Sequence, residues 1–194
     1  GIEIGQKSEN FNKGLTYQKA LGYKNLEKKE ILKTENVFHM ASVTKLFVGT
    51  AIMMLCESGK LKLEGLLSDY LPWFEMKDER YKRITIRELL SHTSGMPDVL
   101  EYNWDKPEFD EEALKRYVKS EEVRNSFLLW DPEDNKFSYS NIGYEILGTV
   151  IAEVSGLSFE EYVKTNIFEK LGMQDSKLLT FEWGIYEGEN KLAE

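Results

Sequence analysis

Ser42-Val43-Thr44-Lys45 and, far downstream, Tyr139-Ser140-Asn141 are the residues of this 194-residue chain whose types and spacing could do chemistry. A serine three residues ahead of a lysine stands one helical turn from it, on the same face. That puts a hydroxyl beside an amine that can be tuned to accept its proton, which an unactivated serine needs before it attacks a carbonyl. The bland reading makes Ser42 a helix N-cap and Lys45 a solvated first-turn side chain. Lysine in a first turn, however, opposes the helix dipole and is a poor choice for stability alone. Tyr139 has two readings as well. A phenol held near an ammonium loses its proton more easily and can relay protons between Ser42 and a leaving group. A tyrosine just before a helix is also, more plainly, a half-buried core residue. Asn141 offers an amide that can donate to a substrate carbonyl and accept from Lys45, or that simply caps the helix it precedes. Y-x-N recurs at Tyr23-Lys24-Asn25, so this triplet alone carries little.

These residues need elements to hold them. Ile2 and Ile4, a turn around Asn12-Lys13-Gly14, then Leu15 and Tyr17 alternate as an N-terminal hairpin. Val37 to Met40 reads as a short extended piece leading into a helix from about Ser42 to Ser58, closed by Gly59. Apolar positions at Leu46, Ala51, Met54 and Leu55 predict that this helix is buried on most sides. Thr85 with Glu88 forms a capping box that opens a short helix through Leu90. Asp110 opens another over Glu111 to Lys119, with acid first and Lys119 last, as the dipole prefers. A third helix runs from about Gly143 to Gly156, and Ser158 with Glu161 caps a fourth that stops at Gly172. The four prolines all fall between these helices. The chain divides into a sheet part with the Ser42 helix (1–60), a mostly helical region of the same catalytic unit (61–176) and an unassigned tail (177–194). Leu178 to Phe181 is the one short strand candidate late in the chain, so the sheet looks unfinished.

Composition removes several classes of function. A formal charge of −9 argues against nucleic acid, which requires clustered Lys and Arg, and against an anionic membrane surface. The longest apolar stretch, Leu46 to Cys56, is too short to span a bilayer, which predicts no integral membrane segment. Cys56 is the single cysteine and His39 and His92 the only histidines, so neither a disulfide nor a metal site is expected. The stretch Leu89 to Pro97 sets His92 among hydroxyls, but it ends in Gly and Pro, and its polar groups are expected to satisfy turn backbone. His39 reads as structural by the same logic. Tyr102, Trp104 and Phe109 form an aromatic, turn-rich stretch that either lines an apolar pocket or pins a loop to the core.

S-x-x-K is an acyl-transfer motif whose companions are a second polar triplet and a K-T-G strand. With Phe38 to Lys45, Leu89 to Gly95, Phe137 to Asn141 and Leu171-Gly172-Met173 in order, the chain resembles the serine β-lactamase and penicillin-binding protein family, in its class C β-lactamase, D-Ala-D-Ala carboxypeptidase and esterase branch. The resemblance runs from about Gly1 to Ser176. It implies an α/β (α+β) fold of β-lactamase/transpeptidase type: a small antiparallel sheet with a large helical region, its C-terminal sheet strands missing from this N-terminal portion. It also implies Ser42 as the acylated nucleophile, Lys45 as its activating partner, Tyr139 as general base and Asn141 as a ligand of the substrate amide, with residues 92–95 structural. The chain departs from the family in two ways: the C-terminal strand that carries the K-T-G triplet is expected to be absent, and Glu133 stands where a glycine is usual. Lys164-Thr165-Asn166 resembles that triplet only superficially, since it falls inside a predicted helix with Asn in place of the glycine.

The resulting expectation is a serine hydrolase or acyltransferase that forms an acyl-enzyme on Ser42 with a β-lactam, a D-amino-acid peptide or an ester, without cofactor or metal. The alternative is a truncated, non-catalytic relative that binds ligands or partners. The expected partners are a small-molecule or peptide-like substrate and, because an open sheet edge is a template for pairing, another copy of the chain that completes the sheet. The resemblance favours a place outside the cytoplasm, although no export signal is visible in the sequence.

Overall fold

A computed structural model describes residues 2–5, 16–38, 40–100, 110 and 112–178, with side chains from residue 19 onward. His39, Tyr102, Trp104, Phe109 and the tail beyond Leu178 lie outside the described residues. The backbone divides into two units, one with the N-terminal strands and the other spanning Ser42–Thr180.

In the first unit the expected hairpin is present. β1 (Ile2–Gly5) pairs antiparallel with β2 (Thr16–Lys19), in a register that sets Ile2 opposite Lys19 and Ile4 opposite Tyr17. A second hairpin follows, in which β3 (Tyr23–Asn25) pairs with β4 (Glu30–Ile31) through an irregular register. The Asn25 side chain accepts from the Lys28 backbone N–H at 2.7 Å, and Lys29 takes a left-handed φ of 51° to close the turn.

The second unit is helical. After a 3-10 turn at Ala41–Val43, α1 runs Thr44–Glu57, followed by α2 (Leu67–Tyr70), α3 (Ile86–Leu90), α4 (Ala113–Val118) and α5 (Glu121–Asn125). The longest helix, α6 (Asn141–Ser155), precedes α7 (Phe159–Val163), a π-helical turn at Lys164–Phe168 and α8 (Glu169–Leu171). The caps read from sequence are in place except at α4, which begins at Ala113 with Glu112, not Asp110, at its cap. Thr85 and Glu88 form the capping box of α3, Ser158 accepts from the Glu161 N–H at 3.2 Å, and Gly156 and Gly172 end their helices in left-handed conformation. α5 is an addition, a single turn and a half capped by Ser120.

α6 is the centre of this unit and packs on α1, α3, α4 and α7. Ile142, Ile146, Leu147, Val150 and Ile151 are buried in the same core as Val48, Ala51, Ile52 and Leu55 of α1. Burial of that kind is worth about 1.5–3 kcal/mol per large aliphatic side chain. Gly148 permits the approach of α4, since a Cβ there would stand 3.0 Å from the Leu114 side chain. α1 is buried on fewer sides than its sequence suggests, because α6 and α7 cover one flank while Leu46, Thr50 and Met53 stay exposed on the other. No single helix among the described residues is long and apolar enough to cross a membrane.

Candidate active site

The packing of α1 on α6 brings the two sequence motifs together. Ser42 lies in the 3-10 turn that precedes α1, where Ala41 adopts a left-handed φ of 43° that few non-glycine residues take. The residue at the cap of α1 is Val43, which has no capping side chain, so Ser42 is not a helix cap and its hydroxyl is left for other contacts. Ser42 Oγ lies 2.7 Å from Tyr139 Oη, across 97 residues of sequence. Lys45 Nζ donates to Ser42 Oγ at 3.4 Å and to Asn141 Oδ1 at 2.5 Å. The same ammonium lies 4.9 Å from the centre of the Tyr139 ring and 5.3 Å from that of Tyr144. All four residues singled out for chemistry therefore meet in one place.

The start of α6 explains how Tyr139 and Asn141 are held. Ser140, not Asn141, caps the helix: its Oγ accepts from the Gly143 N–H at 3.0 Å and donates to the Pro97 carbonyl at 2.7 Å. With Ser140 fixed from both sides, Tyr139 and Asn141 project on either side of a rigid point. His92 supports Tyr139 from behind. Its Nδ1 accepts from the Ser140 N–H at 3.2 Å, and its carbonyl accepts from the Ser138 N–H at 2.9 Å. Its ring lies 4.5 Å from Tyr139 and 5.0 Å from Tyr144, tilted by 33° and 34°. Burial and then the neighbouring Lys45 charge lower the His92 pKa, with Asp98 opposing, so at neutral pH the ring is uncharged and carries its proton on Nε2. His92 thus satisfies turn backbone, as its sequence context suggests, and its ring is in addition a platform for Tyr139. Ser91, Thr93 and Ser94 bond within the same turn.

The charges and burial at the site act in opposite senses on the Tyr139 phenol. Burial works to raise the Tyr139 phenol, but pairing with the Lys45 ammonium and the hydrogen bond to Ser42 outweigh it, and the net shift is downward from 10.0. Asp98 acts in the opposite sense on this phenol. Tyr144 donates from Oη to the Leu90 carbonyl at 3.0 Å and is raised by burial, so the two tyrosines beside Lys45 are driven apart in acidity. Glu145, one residue on, is raised by burial while Lys45 pulls the other way. Such an arrangement can take a proton from Ser42, hold it on a phenol and return it.

Two residues of this neighbourhood carry no sequence signal of their own. Tyr144 reads as one more aromatic on a buried helix. Asp98, whose carboxylate accepts from the Asn141 backbone and side chain, reads as a turn residue after Pro97. Lys164-Thr165-Asn166 lies in the π-helical turn, where Thr165 Oγ1 donates to the Glu161 carbonyl at 2.7 Å. Glu133 sits in a 3-10 turn and pairs with Arg83 at 3.3 Å. Among the described residues no three His, Cys, Asp or Glu side chains converge as a metal site.

Residues 12–182 match the family model described as Beta-lactamase. The chain belongs to the Beta-lactamase family. Penicillin-binding protein 4* of Bacillus subtilis (strain 168) is 33% identical over 167 residues, which is 84% of this chain and 35% of that protein. Among solved structures, a penicillin binding protein from Bacillus halodurans superposes with a TM-score of 0.74 at 30% identity, covering 93% of this chain and 54% of that one. EstCE1, described as a hydrolase with promiscuous acyltransferase activity, gives a TM-score of 0.67 at 29% identity over 82% of this chain and 44% of its own. The fold is that of the β-lactamase/transpeptidase group, and relatives of the chain include penicillin-binding proteins and a hydrolase. The chain spans about a third of the length of the curated relatives it matches, 35% for the Bacillus subtilis protein and 38% for penicillin-binding protein 4 of Amycolatopsis lactamdurans.

Proposed function

We propose that this chain carries the acylation centre of a serine hydrolase. Ser42 is the nucleophile, Tyr139 the general base, Lys45 the cation that keeps the phenol acidic, and Asn141 a ligand of the substrate amide. The observation that carries this reading is the 2.7 Å contact between Ser42 Oγ and Tyr139 Oη, with Lys45 Nζ 3.4 Å from the same Oγ. Tyr139 as phenolate takes the Ser42 proton while Oγ bonds to the carbonyl carbon of an amide, lactam or ester. The collapsing tetrahedral adduct expels the amine or alkoxide, which recovers the proton from Tyr139 Oη. Water then repeats the sequence on the acyl-enzyme, releases the acid and restores Ser42. Asn141 keeps one N–H for a ligand after the other is directed at Asp98. The substrate class is a β-lactam, a D-amino-acid peptide or an ester, in keeping with relatives named as penicillin-binding proteins and as a hydrolase with acyltransferase activity.

The experiment is the intact mass of the chain after incubation with a β-lactam and, separately, with a fluorophosphonate, the wild type beside Ser42→Ala. A covalent adduct in the wild type that is absent from the variant is expected, and its decay with the β-lactam separates a hydrolase from a trap. A folded chain that forms no adduct with either reagent overturns the catalytic reading in favour of the non-catalytic one.

A further inference from the structure

We infer that Asp98 is a positioning residue that fixes the orientation of the Asn141 carboxamide and, through it, the place of the Lys45 ammonium. The two ends of a carboxamide have nearly the same shape, and only their partners distinguish them. At Asn141 both partners are unambiguous. Lys45 Nζ can only donate, and it donates at 2.5 Å. The Asp98 carboxylate can only accept, and Asn141 Nδ2 lies 3.1 Å from its Oδ1 and 3.4 Å from its Oδ2. A flipped amide would set Nδ2 against the ammonium and Oδ1 against the carboxylate, two repulsive contacts in place of two attractive ones.

The carboxylate is itself firmly placed. Asp98 Oδ1 accepts from the backbone N–H of Asn141 at 2.8 Å and from that of Val99 at 2.9 Å. Next to it, the Pro97 carbonyl accepts from Ser140 Oγ at 2.7 Å, so residues 97 and 98 are tied to residues 140 and 141 in sequence. The loop after α3 therefore dictates how the first residue of α6 presents its side chain. Asp98 also contributes the negative charge that opposes Lys45 at the Tyr139 phenol. The other groups around Lys45 and Tyr139 are Ser42 on the turn before α1, His92 on the loop, and Tyr144 and Glu145 on α6. The consequence for rate rests on the functional reading above, whereas the orientation of the amide does not.

Asp98→Asn removes the charge but can keep its oxygen at the Oδ1 position, held by the Asn141 and Val99 N–H groups, whereas Asp98→Ala also removes the acceptor of Asn141 Nδ2. Phosphonylation of Ser42 by a fluorophosphonate, in which the Oγ–P bond forms as fluoride leaves, is expected to slow by about tenfold to a hundredfold in Asp98→Ala, the range for losing a hydrogen bond to a charged group. Its acid limb is expected to move to lower pH, because removing the Asp98 charge makes the Tyr139 phenol more acidic. A change that only loosened the loop would lower the rate without moving that limb. The Asn141 side-chain amide resonances in 15N-labelled chain, compared among wild type, Asp98→Asn and Asp98→Ala, provide a readout that needs no turnover and reports folding in the same spectrum. They are expected to move in both variants. If wild type reacts, and Asp98→Ala reacts at the wild-type rate with the wild-type pH profile and unmoved amide resonances, the positioning role is overturned. If wild type does not react, the functional reading fails, and the amide resonances alone decide for or against the positioning role.

Discussion

Tyr139→Phe isolates one atom of the proposed site. The phenyl ring keeps the stack on His92 at 4.5 Å and the face toward Lys45 at 4.9 Å, and only the hydroxyl 2.7 Å from Ser42 Oγ is removed. Tyr139 is 39% exposed, so losing that hydroxyl should change stability by no more than about 1 kcal/mol. A general base contributes about 10²- to 10⁴-fold, or roughly 3–5 kcal/mol of barrier at 1.36 kcal/mol per tenfold. The gap between these two figures makes the experiment decisive, since a loss of that size cannot come from unfolding. The assay is the second-order rate of adduct formation by intact mass, at a series of pH values with wild type and variant side by side. Because Lys45 and Ser42 hold the Tyr139 phenol below its ordinary 10.0, the wild-type rate should rise with pH through a midpoint below that value. The variant should be slower by at least about a hundredfold and should lack this limb. A variant that reacts within about threefold of wild type, with the limb intact, would refute Tyr139 as the base.

Two predictions concern what holds the site's surroundings. Asp78 is 7% exposed and accepts from Arg80 and from the Leu128 N–H at 2.8 Å, and these bonds, Arg80 first, hold its carboxyl at about 2 against an ordinary 3.8. A depressed folded-state pKa stabilises fully above 3.8 and loses that contribution as pH falls through 2, a difference worth about 2 kcal/mol. Asp78→Asn should therefore lower the urea midpoint at neutral pH by about this free energy and flatten the loss of stability between those two values; an unchanged acid limb would refute the assignment. Gly95 has a φ of 76°, and a Cβ there would stand 2.6 Å from the Trp130 carbonyl oxygen. Gly95→Ala should cost about 2–4 kcal/mol in thermal unfolding, combining a left-handed alanine with a backbone clash, and wild-type stability would show that the loop relaxes freely.

Ser42, Lys45, Tyr139 and Asn141 could be picked out in the sequence because each has a reactive group at a spacing that local geometry makes meaningful. Asp98 could not. An aspartate after Gly-Met-Pro is what any turn would carry, and its contact with Asn141 exists only after the loop following α3 meets the start of α6. That Ser140 caps α6 in place of Asn141 was equally closed to local reasoning, since both residue types cap well. The bond from Ser140 Oγ to the Pro97 carbonyl decides it, and that bond is tertiary. For the elements, the long helices α1 and α6 were plain from their apolar pattern and their terminal glycines. The β3–β4 hairpin, with strands of three and two residues, and the five-residue α5 are too short for any period to show. The exposed flank of α1 has the opposite cause: a helix apolar all round does not say which side its neighbours cover.

Lys45 joins these observations. It stands in the first turn of α1 and bonds to the first residue of α6, so two helix N-termini, each carrying partial positive charge, oppose its ammonium. A side chain chosen for stability would avoid that place. The chain instead surrounds the ammonium with whatever can offset the repulsion: the Asn141 carbonyl oxygen, the faces of Tyr139 and Tyr144, and beyond Asn141 the Asp98 carboxylate. Each of these has a second attachment of its own, Asn141 to Asp98, Tyr139 to His92 and Tyr144 to the Leu90 carbonyl. Such support makes sense if the positive charge is needed where it is, beside the phenol that the proposed mechanism deprotonates to receive a proton from Ser42. A locally unfavourable residue held by this many directed contacts is what a site selected for activity at some expense in stability should look like.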